Sequence, residues 1–184
     1  MNDLYVEWEK DFNAKIGSGF FDNYDLIAFD SATTLLDLIM DRVLTINGRA
    51  GQWPQQDDYG PQMNTFNAIC RQLTALGKTI LMTGHLETKK DELLQRIYRQ
   101  PMMTGRLRVK IPLLFSDIFV CEVENDGKGK MKHKIMTAPD RINTTVRTTI
   151  KGLEPYEDVT IDFTKDPIGQ GIGGILNWEK KNVK

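Results

Sequence analysis

The sequence has 184 residues, of which 40% are hydrophobic and 27% are charged, as is typical of a globular domain with a substantial core. No apolar run approaches the roughly 20 residues that cross a bilayer, and the acidic first residues lack the apolar core of a signal peptide. These features exclude a membrane-spanning protein and favour a cytoplasmic one. The net charge of −1 conceals an asymmetry, because residues 1–60 carry four basic and eleven acidic side chains, whereas residues 86–110 carry seven basic and three acidic ones.

The first half of the chain predicts alternating helices and strands. The apolar run Leu26–Phe29 has no polar alternation and is typical of a strand buried on both faces. Between residues 33 and 46, apolar side chains recur on one helical face. The predicted elements are a helix at 5–16, a strand at 24–30, a helix at 33–46, a polar loop at 47–60, a helix at 61–76 and a buried strand at 79–83. This order is typical of an α/β sheet with its site along one edge.

The second half predicts mainly β-structure. Residues 86–104 are compatible with either a helix or an extended segment. A hairpin is predicted from strands at 117–124 and 130–137, with further short strands at 146–150 and 158–163. The last segment, residues 166–184, is rich in glycine and then in charge, and is expected to be a flexible tail.

Asp30 and Ser31 follow the first predicted strand and precede a helix. At the carboxyl end of a parallel strand, a carboxylate lies where open α/β sheets bind ligands, and in P-loop NTPases such a carboxylate orients Mg²⁺. Ser31 would donate a hydrogen bond beside it. Both residue types are also favoured helix N-caps, so a purely structural role is the alternative.

The sequence contains no complete phosphate-binding loop of the form GxxxxGK[ST]. Gly77, Lys78 and Thr79 spell the end of this motif, but Gln72 stands where its first glycine is required. This GKT also leads from a helix into a strand, which reverses the order that points helix N-terminal amides at phosphates. It is therefore not a phosphate-binding loop.

Several stretches, in order, resemble the phage-encoded RecA-like ATP-binding proteins of DNA recombination and single-strand annealing. They are YVEWEKDF, YDLIAFDSATTLLDLIMD, DDYGPQMNTFNAICRQLTALGKTILMTGH, PMMTGRLRVKIPLLFSDIFVCE and KIMTAPDR. The resemblance implies an α/β fold with a mainly parallel RecA-like sheet flanked by helices and a C-terminal β-hairpin region. Residues 1–165 would then be one partial ATPase core, with the N-terminal P-loop portion missing.

The resemblance also implies roles for particular residues. Asp30 would be the Walker B carboxylate that holds Mg²⁺ of bound ATP, with Ser31 beside it, and His85 would be the polar sensor near the γ-phosphate. Arg147 would offer its charge to a neighbouring subunit's nucleotide, although a surface arginine is the simpler interpretation. Asp58 is expected to hold the loop before the helix predicted at 61–76, and a part in phosphate or metal chemistry is the alternative.

The missing phosphate loop predicts that the chain alone does not hydrolyse ATP. If a partner supplies the missing half in trans, Asp30 and His85 should complete a working site; a homo-oligomer is the alternative assembly. The alternative is a non-catalytic module that binds single-stranded DNA in the host cytoplasm through basic and aromatic side chains. Its candidate DNA-binding residues are Lys89, Lys90, Arg96, Tyr98, Arg99, Arg106, Arg108 and Lys110.

Overall fold

The computed structural model describes residues 4–125, 127, 129–167 and 169–176. The chain forms a mixed α/β fold that divides into two compact units. The first unit comprises residues 1–87 and 101–114, and the second comprises residues 88–100 and 115–184.

Three helices form the core of the first unit. They are α1 (Leu4–Gly17), α2 (Ala32–Ile46) and α3 (Tyr59–Ala75), each within two residues of its predicted bounds. Helices α1 and α3 both pack on α2. The predicted apolar face of α2 is buried, and Phe66 of α3 is 0% exposed. Burying each such side chain contributes about 1.5–3 kcal/mol, so this face of α2 holds the unit together.

Two parallel strands, β1 (Leu26–Phe29) and β2 (Thr79–Met82), complete the predicted order of this unit. The expectation that they are buried on both faces is wrong. Residues of β1 alternate between exposed and half-buried, and Leu26 is 37% exposed. The reason is that β1 and β2 pair only with each other among the described residues, so no larger sheet covers their faces.

Residues 86–101 form an antiparallel hairpin that consists of β3 (Leu86–Asp91) and β4 (Arg96–Pro101). The carboxylate of Asp91 accepts the backbone N–H groups of Leu93 and Leu94 at 3.1 and 3.0 Å, which fixes the turn. The extended alternative for this segment is therefore correct, and the helical one is wrong. A short helix, α4 (Leu107–Lys110), follows in the first unit.

The second unit contains a three-stranded antiparallel sheet of β5 (Val120–Asn125), β6 (Met131–Met136) and β7 (Tyr156–Asp158). The predicted hairpin is confirmed as β5 and β6. The strand predicted at 146–150 is wrong, because only Arg147 forms a β-bridge, to Ile118. The strand predicted at 158–163 is also wrong beyond its first residue, since β7 ends at Asp158.

Local side-chain bonds explain both errors in the second unit. The Asp117 carboxylate accepts the Thr149 N–H at 2.6 Å, and the Asp158 carboxylate accepts the Thr160 N–H at 2.9 Å. Such bonds compete with a strand ladder for the same backbone groups.

The segment 166–184 is described only in part. A short helix, α5 (Gly171–Leu176), lies within it. Residues 168 and 177–184 are outside the described residues, so the predicted flexible tail stays a prediction there.

Candidate nucleotide and metal site

Asp30 and Thr83 lie side by side at the carboxyl ends of β1 and β2. The parallel register places Phe29 opposite Met82, so the next residues of the two strands are neighbours. The Thr83 hydroxyl donates a short hydrogen bond to Asp30 Oδ1. The Thr83 N–H donates to Phe29 O at 3.0 Å, and the Ala32 N–H donates to Thr83 O at 2.9 Å, so the backbone fixes this pair.

Ser31 caps helix α2. Its Oγ accepts the Thr34 N–H at 3.3 Å and lies 3.0 Å from the Thr34 hydroxyl. Its backbone is extended, with φ −129° and ψ 157°, as N-cap residues require. The structural alternative is therefore correct for Ser31. A capping role does not account for Asp30, whose side chain is exposed and accepts a hydrogen bond from Thr83.

His85 follows β2 by three residues and is exposed. Its N–H donates to Thr33 Oγ1 at 3.0 Å, which ties the segment after β2 to the first turn of α2. Its imidazole lies close enough to Asp37 to act on it electrostatically. Burial and the neighbouring Asp41 raise the pKa of Asp37 above its ordinary value, while His85 opposes this rise. These two contacts of His85 are therefore both with α2.

Asp58 is the most enclosed carboxylate of the described chain, with 0% exposure. It accepts hydrogen bonds from Asn47 Nδ2 at 2.7 Å, from the Gln55 N–H at 2.8 Å and from Arg49 Nη2. Burial alone would raise its pKa, but these bonds and the Arg49 charge hold the pKa below its ordinary value. Its contacts are those of a loop anchor, as expected.

Arg147 belongs to the second unit and is half-buried. Its Nη2 donates to the backbone carbonyl of Phe115 at 2.8 Å, and its own backbone bridges Ile118. The simpler interpretation, a surface arginine, is compatible with this intermediate exposure. These contacts hold the 115–118 segment, and action on a neighbouring nucleotide stays a prediction.

The candidate DNA-binding residues are divided between the two units. The second unit has Lys89, Lys90, Arg96, Tyr98 and Arg99, and the first has Arg106, Arg108 and Lys110.

Several of these residues have contacts within the chain. Arg96 lies 3.6 Å from the Asp91 carboxylate and 5.8 Å above the Tyr98 ring, so the half-buried Tyr98 has one face covered. Arg99 pairs with Glu122 at 3.4 Å, and Arg108 pairs with Glu87 at 3.7 Å. Lys89, Lys90, Arg106 and Lys110 are exposed.

The exposed carboxylate of Asp30 is the kind of ligand that proteins offer to Mg²⁺. Mg²⁺ is usually held by one or two carboxylates together with substrate phosphates and water. Asp30 supplies one exposed carboxylate, and Oδ2 has no hydrogen-bond partner among the described residues. No group of three or more His, Cys, Asp or Glu side chains that could hold a metal exists in that part of the chain. A single carboxylate would leave most of the coordination of such an ion to phosphate and water.

A family model described as an AAA domain matches residues 4–148, which include Asp30, Ser31, His85 and Arg147. The chain belongs to the AAA domain family. This AAA domain is P-loop NTPase-like, and domains of this kind bind nucleotide and metal in general. Neither the curated proteins nor the solved structures gave a match to it.

No helix in the described part of this AAA domain is long and apolar enough to cross a membrane.

Thr83 is the residue that sequence reasoning missed. The sequence analysis assigned the polar role at the end of β2 to His85, whereas the side chain that contacts Asp30 belongs to Thr83. The feature that identifies Thr83 is the register in which β1 and β2 pair. Two four-residue strands that start at Leu26 and Thr79 necessarily place residues 30 and 83 at the same edge.

Proposed function

We propose that this AAA domain is a phage-encoded nucleotide-binding subunit that acts in DNA recombination or single-strand annealing. The observation that supports the proposal is the Asp30–Thr83 pair at the ends of adjacent parallel strands, within the region that matches the family. The ordered RecA-like stretches of the sequence support the finer assignment to recombination.

In this proposal Asp30 holds the metal that accompanies ATP. Its exposed Oδ2 is available to the metal or to a metal-bound water, and the Thr83 hydroxyl fixes the orientation of the carboxylate through Oδ1. Mg²⁺, when bound, supplies charge neutralisation at the phosphates. Ser31 acts indirectly, because its cap fixes the start of α2 directly after Asp30.

The phosphate-binding amides and lysine come from outside these 184 residues in this proposal. Backbone amides and a lysine supply most of the phosphate affinity of a P-loop. A partner chain that carries such a loop would complete the site. His85 would then sense the γ-phosphate, and Arg147 would contribute charge to a neighbouring site.

Isolated chains are expected to hydrolyse ATP at the background rate in the presence of Mg²⁺. The reason is that Asp30 orients a metal but does not cradle phosphates. Phosphate release is measured for the wild type and for Asp30→Ala, with Asp25→Ala as the matched control. Asp25 is an exposed aspartate at the opposite end of β1. Steady turnover that Asp30→Ala abolishes and Asp25→Ala preserves would contradict the proposal, because these residues would then contain their own phosphate cradle.

A second candidate function is nucleotide-independent binding of single-stranded DNA. The β3–β4 hairpin favours it, because residues 88–100 carry four basic and two acidic side chains, a net charge of +2. Affinity that falls steeply with salt in the absence of ATP would support this function, since phosphate contacts release counterions. Affinity that requires nucleotide would support the ATPase-family function instead.

A further inference from the structure

One face of the sheet of β1 and β2 is left uncovered by the described part of the chain. Successive side chains of a strand point to opposite faces, and the register pairs Leu26 with Thr79 and Ala28 with Leu81, so these four residues share one face. Leu26, Ala28 and Thr79 are exposed, and Leu81 is half-buried. We call these four residues the open face. Parallel sheets occur almost only with both faces covered, so the open face is suited to bind a further layer.

The opposite face of the same sheet is covered. Ile27, Phe29, Ile80 and Met82 are all half-buried. The ring of Phe29 meets the ring of Trp8 in α1 edge-on, with the two centroids 6.0 Å apart. A helical layer therefore lies against this face, and the missing layer belongs on the open face.

The outer edges of the sheet are open as well. Between the two strands, the Thr79 N–H donates to Asp25 O at 3.1 Å and the Thr83 N–H donates to Phe29 O at 3.0 Å. Alternate residues of a paired strand direct their backbone groups to the other side, and among the described residues β1 and β2 pair only with each other. Unpaired backbone groups at an edge are a template for another strand. The sheet can therefore accept a strand at an edge together with a helix on the open face.

We propose that the open face is the docking surface for a strand–loop–helix unit of a partner chain, and that the loop of this unit supplies the phosphate-binding amides. This inference rests on the proposed function and adds the surface that the partner occupies. The partner's strand extends the sheet in parallel, with its carboxyl end beside Asp30 and Thr83. The helix after the loop starts at the same end and runs back over Leu26 and Ala28. Its N-terminal amides then face the phosphates of a nucleotide whose metal Asp30 holds.

Chain direction selects this occupant. Asp30 and Thr83 both follow the carboxyl ends of their strands. A parallel strand brings the start of the helix that follows it to this end of the sheet. An antiparallel strand would bring it to the opposite end, roughly 13 Å away, because each of the four residues of β1 rises about 3.3 Å. Only the parallel unit both covers the open face and completes a phosphate site.

Charge at the ends of β1 favours this occupant over nucleic acid. Asp25 and Asp30 are exposed and flank the strand at its two ends. Two carboxylates beside the open face repel a phosphate backbone, whereas they attract the lysine that a phosphate loop carries. The open face itself contains no basic side chain.

Photo-crosslinking of the full chain in its native host cells tests the proposal. The test chain carries Ala28→p-benzoylphenylalanine. The matched control carries Ile46→p-benzoylphenylalanine, because Ile46 is 66% exposed at the far end of α2. Crosslinks from position 28 should reach a helix that directly follows a GxxxxGK[ST] sequence in another protein, and position 46 should not reach that helix.

A charge on the open face should block the same contact. Ala28→Glu should weaken binding of the captured and purified partner by at least about tenfold, because the partner's helix would bury the new carboxylate. Ile46→Glu should bind the partner like the wild type. Both positions are exposed, so circular dichroism should show unchanged folding of both variants.

Three outcomes would overturn the proposal. The first is the absence of crosslinks from position 28. The second is crosslinking from this position to a segment without a phosphate loop, to nucleic acid or to a second copy of the chain. The third is an Ala28→Glu variant that binds the captured partner as tightly as the wild type.

Failure of this inference and failure of the proposed function give different results. Asp30→Asn should leave partner binding unchanged and should remove metal-dependent nucleotide binding by the complex. A complex that forms through position 28 but binds nucleotide and Mg²⁺ equally well in Asp30→Asn would contradict the proposed function and retain the docking surface. Nucleotide and metal binding that depends on Asp30, without any contact at position 28, would contradict the docking surface alone.

Discussion

Asp58→Ala is expected to lower the melting temperature by about 10 °C at neutral pH. The change removes a fully buried carboxylate and leaves the Asn47 amide, the Gln55 N–H and the Arg49 guanidinium without their common acceptor. Arg49 already has one buried nitrogen, Nε, without a hydrogen-bond partner, and in the variant it would keep only its 3.2 Å contact with the exposed Asp57. Buried donors that lose their acceptor are strongly destabilising.

The matched control is Asp57→Ala. Its side chain is 69% exposed and contacts the same arginine nitrogen, Nη2, at 3.2 Å, so loss of this solvent-screened pair should change the melting temperature little. Equal losses from the two variants would contradict the assignment of Asp58 as the anchor.

The Asp58 effect should also depend on pH. The folded-state pKa lies below the ordinary value of 3.8, so the unfolded chain binds the proton more tightly than the folded one. The stabilisation is therefore complete above pH 3.8 and is lost as the pH falls through the lower folded-state pKa. The difference in melting temperature between the wild type and Asp58→Asn should shrink in acid.

Phe66→Ala is expected to reduce the free energy of unfolding by about 3–5 kcal/mol. Phe66 of α3 is 0% exposed and lies in the core that α3 forms against α2, with Ile69 and Leu73 on the same buried face. Truncation removes apolar contacts and leaves a cavity that close-packed neighbours fill only in part.

Chemical denaturation followed by circular dichroism measures the loss, and Phe163→Ala is the control. Phe163 is 85% exposed, so its truncation should change the unfolding free energy by no more than about 0.5 kcal/mol. A Phe66→Ala variant that unfolds at the wild-type denaturant concentration would contradict the proposed core.

Local pattern was sufficient to predict the three long helices and the two parallel strands of the first unit, although not its short helix α4. The apolar spacing of Leu35, Leu36, Ile39, Val43 and Leu44 predicts the buried face of α2, and Gly77 marks the end of α3 by adopting a positive φ of 64°. Pattern alone did not reveal how few strands pair with β1. Strand pairing depends on residues far apart in sequence, and a short apolar run has the same sequence pattern at the edge of a sheet as in its interior.

The hairpin at 86–101 shows where periodicity is ambiguous. The four apolar residues of this segment have helical spacing. Two of them nevertheless lie in the turn, Leu93 and Leu94, and two lie in β4, Ile97 and Tyr98. The decisive contacts are the Asp91 carboxylate, which fixes the turn, and Gln95, which adopts a φ of 46°. In the candidate site, Asp30 was identified from its position after a strand, and capping by Ser31 was predicted as the structural alternative. Thr83 could be identified only from the pairing register of two strands 53 residues apart in sequence.

The most direct test of the central claim is paramagnetic broadening by Mn²⁺ in the presence of ATP. Mn²⁺ shares the preference of Mg²⁺ for carboxylate and phosphate oxygens, and broadening detects a small fractional occupancy. Amide signals of residues 30–34 and 83–85 should broaden selectively in the wild type and in Asp25→Asn, and should stay sharp in Asp30→Asn. Equal broadening in Asp30→Asn, or no selective broadening at this end of β1 and β2, would contradict a metal–nucleotide role for Asp30.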